Sequence, residues 1–110
     1  ADSPIALDFL YVFDEELLQE LLQLPAKQWF AEKAQYKRDY PEDSGFRVWE
    51  WEWVPGQEVP EIKLPLNPRT EAGILYVLYA EPGAYRAKTR ANQSIAVHLL
   101  EKEFQVRPLD

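Results

Sequence analysis

Cysteine and methionine are absent from this 110-residue chain, histidine occurs once and glycine four times. Without cysteine there is no disulfide framework, no thiolate nucleophile and no Cys-ligated metal; the compartment is left open. The single histidine, His98, has no second imidazole with which to build a zinc site. The glycines never gather into a run that could cradle a phosphate, which removes the usual signature of nucleotide binding. Basic residues are scarce beside acidic ones, 12 against 19, and the resulting formal charge of −7 repels a nucleic-acid backbone. No apolar run approaches the roughly 20 residues needed to cross a bilayer. The opening Ala1-Asp2-Ser3-Pro4 has neither an initiating methionine nor a signal-like apolar stretch, so the start reads as processed or trimmed.

What is present describes one small globular domain over residues 1–110: 46% hydrophobic residues, 14% aromatic and 28% charged, with four Trp, six Tyr and five Phe to fill a single core. Ile5 to Phe13 puts Ile5, Leu7, Phe9, Tyr11 and Phe13 on one face at period two, while Leu10 and Val12 make the other face apolar as well. That is a strand covered on both sides. Asp14 stands where a helix N-cap belongs, followed by Glu15 and Glu16 and a leucine stripe ending near Leu24. Pro25 breaks this helix, and a second one is expected over Ala26 to Tyr40 with Trp29, Tyr36 and Tyr40 on one face and Lys33 and Lys37 snorkelling at its margin.

Phe46 to Val54 alternates as a second strand, with Phe46, Val48, Glu50, Glu52 and Val54 on one face and Arg47, Trp49, Trp51 and Trp53 on the other. Pro55-Gly56 suits the centre of a type II turn within a wider loop, and Val59 to Leu66, punctuated by Pro60 and Pro65, reads as a third, edge strand. Ile74 to Ala80 is apolar throughout, as a central fourth strand would be, and Tyr85 to Thr89 makes a short fifth. Ser94 to Val106 reads as a long sixth strand whose apolar residues do not separate by face; a helix there is the alternative. The fold expected is mainly β, an antiparallel β-sandwich with two helices between strands 1 and 2 and roughly equal helix and strand. Helix at 94–106 would turn it into a two-layer α+β domain.

The inventory for catalysis is thin. His98 sits in an apolar run, where a packed or half-exposed structural role outweighs that of a general base. Glu50 and Glu52 share a strand face at a spacing of about 6–7 Å and could flank a glycosidic bond, but a solvated face is the plainer reading. No catalytic residue, metal ligand or cofactor is assigned, and the chain is read as no enzyme. The row Arg47, Trp49, Trp51, Trp53 admits two readings. It is a core layer under the Trp29 helix, or it leaves indoles exposed as anchors for a partner protein, with Arg47, Trp49 and Trp53 as the contact residues. The pairing Trp29 against Trp51 across the main core belongs to the first reading.

The order of elements also resembles the small outer-membrane lipoprotein of the type VI secretion membrane complex. The likeness runs through Leu7 to Phe13, the helices up to Tyr40, Val54-Pro55-Gly56-Gln57, Ile74 to Ala80 and the pair Tyr85-Arg86. It implies a transthyretin-like β-sandwich with a helical insertion, lying in the periplasm and anchored to the outer membrane by a lipid on a cysteine upstream of Ala1. It implies a scaffold that docks the periplasmic part of an inner-membrane secretion component and tethers or regulates the envelope-spanning complex. The resemblance carries no binding residue onto this sequence. The alternative function is a soluble adaptor, inhibitor or immunity protein whose acidic surface meets a basic partner.

Overall fold

The computed structural model describes residues 3–41, 44–56 and 64–108. In chain order the elements are β1 (Ile5–Val12), α1 (Glu15–Leu21), α2 (Ala26–Asp39), β2 (Phe46–Trp53), β3 (Ala72–Val77), β4 (Arg86–Arg90), β5 (Ile95–Leu99) and β6 (Phe104–Pro108). The first four strands form an antiparallel sheet in the order β2-β1-β3-β4, and β5 and β6 form a separate antiparallel pair. The architecture is mainly β and sandwich-like, with 38% strand and 22% helix among the described residues. The expected near-equality of helix and strand is corrected accordingly: α1 has only 7 residues, and the C-terminal quarter contributes two strands.

β1 and β3 are central because both their faces must be covered. On one face, Leu10 and Val12 of β1 and Ala72, Ile74 and Tyr76 of β3 pack with Phe46 beneath Leu17, Leu18 and Leu21 of α1 and Trp29 of α2. On the opposite face, Leu7, Phe9, Tyr11, Leu75 and Val77 meet Ile95, Val97 and Leu99 of the β5–β6 hairpin. The helices are tied down by specific bonds as well as by leucines. Asp14 caps α1 by accepting from the Leu17 N–H at 3.1 Å. The Tyr76 hydroxyl donates to the Leu21 carbonyl at 2.6 Å and Arg86 donates to the Leu24 carbonyl at 3.1 Å, tying the last residue of α1 and the turn after it to the sheet.

Parity explains where the tryptophans go, and it corrects two expectations. β2 pairs residue by residue with β1, Val48 opposite Leu10 and Trp49 opposite Phe9. Because the helices cover the Leu10 side, Trp49, Trp51 and Trp53 lie on the hairpin side, half-buried against its core. They are not the layer beneath Trp29, and Trp29 and Trp51 are on opposite faces of the sheet rather than across one core. Trp29 instead stacks on Tyr76, with ring centroids 5.4 Å apart, and meets the edge of Phe46 at 5.7 Å.

The single strand expected over Ser94 to Val106 is two strands, and a helix does not form there. Glu101-Lys102-Glu103 are exposed charges that a buried strand cannot carry; the chain reverses at them, with Leu100 N–H donating to Glu103 C=O at 2.8 Å. The reversal sets Leu99 opposite Phe104 and Val97 opposite Val106, so residues that would sit on opposite faces of one strand share a face across two. The strand expected over Val59 to Leu66 lies outside the described residues up to position 63. Leu64 to Leu66 belong to no strand, and Leu64 packs on the hairpin-side core. Gly56 takes φ 86°, the left-handed value that a type II turn requires after Pro55.

Candidate protein-binding edge

β2 borders the four-stranded sheet, and among the described residues it pairs only with β1. A cleft of about 460 Å³ lies at its first half, lined by Phe46, Arg47, Val48, Trp49, Lys37 and Tyr40. Four consecutive strand residues point alternately to opposite faces, so a cleft that touches all four straddles the edge of the strand instead of lying on either face. The structure thus brings Arg47 and Trp49 together: the guanidinium sits 5.2 Å from the indole ring centre, and Tyr11 holds that indole edge-on at 5.0 Å. Trp53 is on the same face but about 13 Å along the strand and does not line the cleft. Its Nε1 is enclosed and has no hydrogen-bond partner among the described residues.

The other face of β2 holds a charge network that the sequence reading missed. Asp8 of β1 is 1% exposed, and its carboxylate accepts from Trp29 Nε1 at 2.9 Å and from Lys33 Nζ at 3.1 Å. Lys33 continues to Glu50 at 2.6 Å, and Glu50 accepts from Lys37 at 3.2 Å. Burial pushes the Asp8 carboxyl above its ordinary range, against the opposing pull of the Trp29 and Lys33 bonds. Hydrogen bonds from Lys33 and then Lys37 hold Glu50 below its ordinary range despite partial burial. For Lys33, burial alone would lower the value, but the bonds to Glu50 and Asp8 outweigh it and raise it. The available signal was Asp8 itself, a lone charge inside an otherwise apolar strand.

Glu50 is engaged by two lysines, so it does not stand as one of two free carboxylates with Glu52. His98 faces outward from β5 and is exposed. A larger cavity, about 720 Å³, lies at the opposite end of the sheet between Ile5, Leu78, Tyr79, Tyr85 and Lys27. Its cations are used internally: Lys27 donates to the Ala80 carbonyl at 3.3 Å and Lys102 lies 3.7 Å from Glu81. Among the described residues no cluster of His, Asp and Glu could hold a metal ion. Among the described residues no helix is long and apolar enough to cross a membrane. Comparison with protein-family models, with curated proteins and with solved structures finds no match for this chain.

Proposed function

We propose that this chain is a non-catalytic protein-interaction domain that meets its partner along the β2 edge, through Arg47 and Trp49 at the cleft and Trp53 farther along. The observation that carries the reading is the edge cleft, in which a stacked guanidinium and indole stand beside Lys37 and Tyr40. Arg and Trp are the side chains that most often dominate interface energy. The biological setting proposed is a periplasm-facing scaffold of a secretion apparatus, anchored to the outer membrane by an upstream lipidated cysteine and contacting the periplasmic part of an inner-membrane component. Its support is the resemblance in element order, with two helices between β1 and β2. A soluble adaptor, inhibitor or immunity protein is the second reading; it draws on the net charge of −7, which favours a basic partner.

The test begins with capture of the partner from envelope extracts on the tagged domain. Affinity is then measured for folded Arg47→Ala, Trp49→Ala and Trp53→Ala variants. A loss of about 2 kcal/mol in at least one is expected. Unchanged affinity in all three removes this edge. A precursor with a signal peptide ending in a small-residue and cysteine site ahead of Ala1 supports the lipoprotein setting, and a cytosolic start removes it.

A further inference from the structure

The partner's mode of attachment follows from the hydrogen-bond phase of β2. Phe13 N–H donates to Gly45 C=O at 2.8 Å, one step beyond the pair Val12 and Phe46 in the same register. Antiparallel pairs alternate between bonded and non-bonded positions. The bonded pairs are therefore Tyr11 with Arg47, Phe9 with Trp49, Leu7 with Trp51 and Ile5 with Trp53. The other side of β1 agrees: Leu78 N–H donates to Ala6 C=O at 2.9 Å, so even-numbered β1 residues serve β3 and odd-numbered ones serve β2. The main-chain N–H and C=O groups of Phe46, Val48, Glu50 and Glu52 consequently point away from the sheet.

The two edges of this sheet differ in a way that bears on use. β4 is five residues long and carries Arg86, Lys88 and Arg90, the kind of cationic edge that resists pairing. β2 is eight residues long, keeps unbroken register with β1, and has neither lysine nor proline; three indoles line one of its faces. Its charges are distributed unevenly. The cleft end presents Arg47 with no carboxylate among the lining residues, Glu50 is offset by Lys33 and Lys37, and Glu52 alone marks the far end.

We infer that β2 receives an extended segment of the partner as an added fifth strand, its apolar side chains against the Trp49-Trp51-Trp53 row and a carboxylate beside Arg47. This rests on the interaction reading above. Strand addition supplies affinity through main-chain bonds and specificity through alternate side chains. A second copy of this chain fits poorly. Antiparallel self-pairing centred on Glu50 sets Glu50 against Glu50 and Val48 against Glu52, and the two molecules carry a charge of −7 each.

The probe is a terminally blocked octapeptide of alternating valine and threonine with one aspartate near an end, followed by amide hydrogen exchange. An asparagine version and an aspartate-free version with a free C-terminal carboxylate separate the two sources of charge. At saturation, exchange at Phe46, Val48, Glu50 and Glu52 is expected to slow at least about tenfold, while Arg47, Trp49, Trp51 and Trp53, already bonded to β1, stay unchanged. Replacing aspartate by asparagine should weaken binding about fivefold, and Arg47→Glu should abolish that preference. Glu52→Pro removes an outward donor at an edge where proline is tolerated, so the fold should survive while affinity falls about tenfold. Absence of peptide binding overturns strand addition, as does binding that perturbs Arg47 and Trp49 without slowing the outward amides. If the captured partner still depends on Arg47, Trp49 or Trp53, the interaction reading stands; if it depends on none of them, both fall. Concentration-dependent protection of these amides without peptide would assign the edge to a second copy and overturn the inference.

Discussion

Asp8 is a buried charge inside an apolar strand, 1% exposed. A carboxylate removed from water is tolerated only when its charge and lone pairs are met, and here Trp29 Nε1 and Lys33 Nζ meet them. Lys33→Met leaves Asp8 without its cation and should cost about 2 kcal/mol in urea unfolding. A double substitution, Asp8→Leu with Lys33→Met, should cost less than the sum of the singles, because it removes the charge together with its partner. Simple additivity would show the two residues to be uncoupled. Trp29 and Trp51 give a second contrast at this scale. Trp29 is fully buried and Trp51 only half-buried, so Trp29→Ala should cost about 3–5 kcal/mol and Trp51→Ala clearly less, about 1–2 kcal/mol. Equal melting temperatures for the two variants would contradict the placement of Trp51.

Elements in this fold are held by how closely their faces approach, and Gly73 in β3 marks the tightest approach. A Cβ at this position would press on Thr89 Oγ1 of β4 and on the Phe9 ring of β1, at 2.8 Å from Phe9 Cζ. Thr89 can turn away, but Phe9 is 1% exposed and enclosed by the hairpin. Gly73→Ala is therefore expected to destabilise by about 1–3 kcal/mol, in spite of the higher strand propensity of alanine. A stabilised variant in thermal or denaturant unfolding would show that the hairpin can move outward. The hairpin itself is joined to the segment after β3 through Tyr79, whose single hydroxyl proton is shared between the carbonyls of Leu100 and Glu103 at its turn.

At the scale of the whole molecule, several buried or bonded groups titrate out of their normal range in the same direction. Burial pushes the Tyr79 phenol up to about 12 from an ordinary 10.0, and it raises Tyr76 and Tyr36 as well. Lys33 is raised by its carboxylate bonds. For each, a folded-state pKa above the unfolded one means stability that is complete below the unfolded value and is lost as pH climbs through the folded value. Melting temperature should hold steady from neutral pH toward 10.0 and fall steeply between there and about 12. Tyr79→Phe should lower it at neutral pH yet make that alkaline fall shallower. An unchanged slope would mean that Tyr79 does not couple to unfolding. On the acid side Glu50 contributes stability that is lost as pH falls through its lowered value, while Asp8 acts in the opposite sense.

Much of the fold was legible in the chain because its periods are clean. Apolar residues on both faces of Ile5 to Phe13 and of the Ile74 strand required two central strands, the Asp14 cap and Pro25 bounded the helices, and the alternation from Phe46 made β2. The candidate site was legible only in part. Arg47 and Trp49 stood out by residue type, whereas the cleft beside Lys37 and Tyr40 requires the end of α2 to lie at the β2 edge. Period two states that Trp49, Trp51 and Trp53 share a face, but not which layer covers it. That depends on which side of β1 the helices occupy, a choice made by long-range packing of Leu17, Leu21 and Trp29 on Leu10, Ile74 and Tyr76. The same holds for the last strand pair, where local pattern could not distinguish one strand, two strands or a helix until Leu99 met Phe104 across the turn. Local periodicity determines which residues go together; only the packing of distant elements decides what each face meets, because burial is a property of pairs of surfaces and not of one segment.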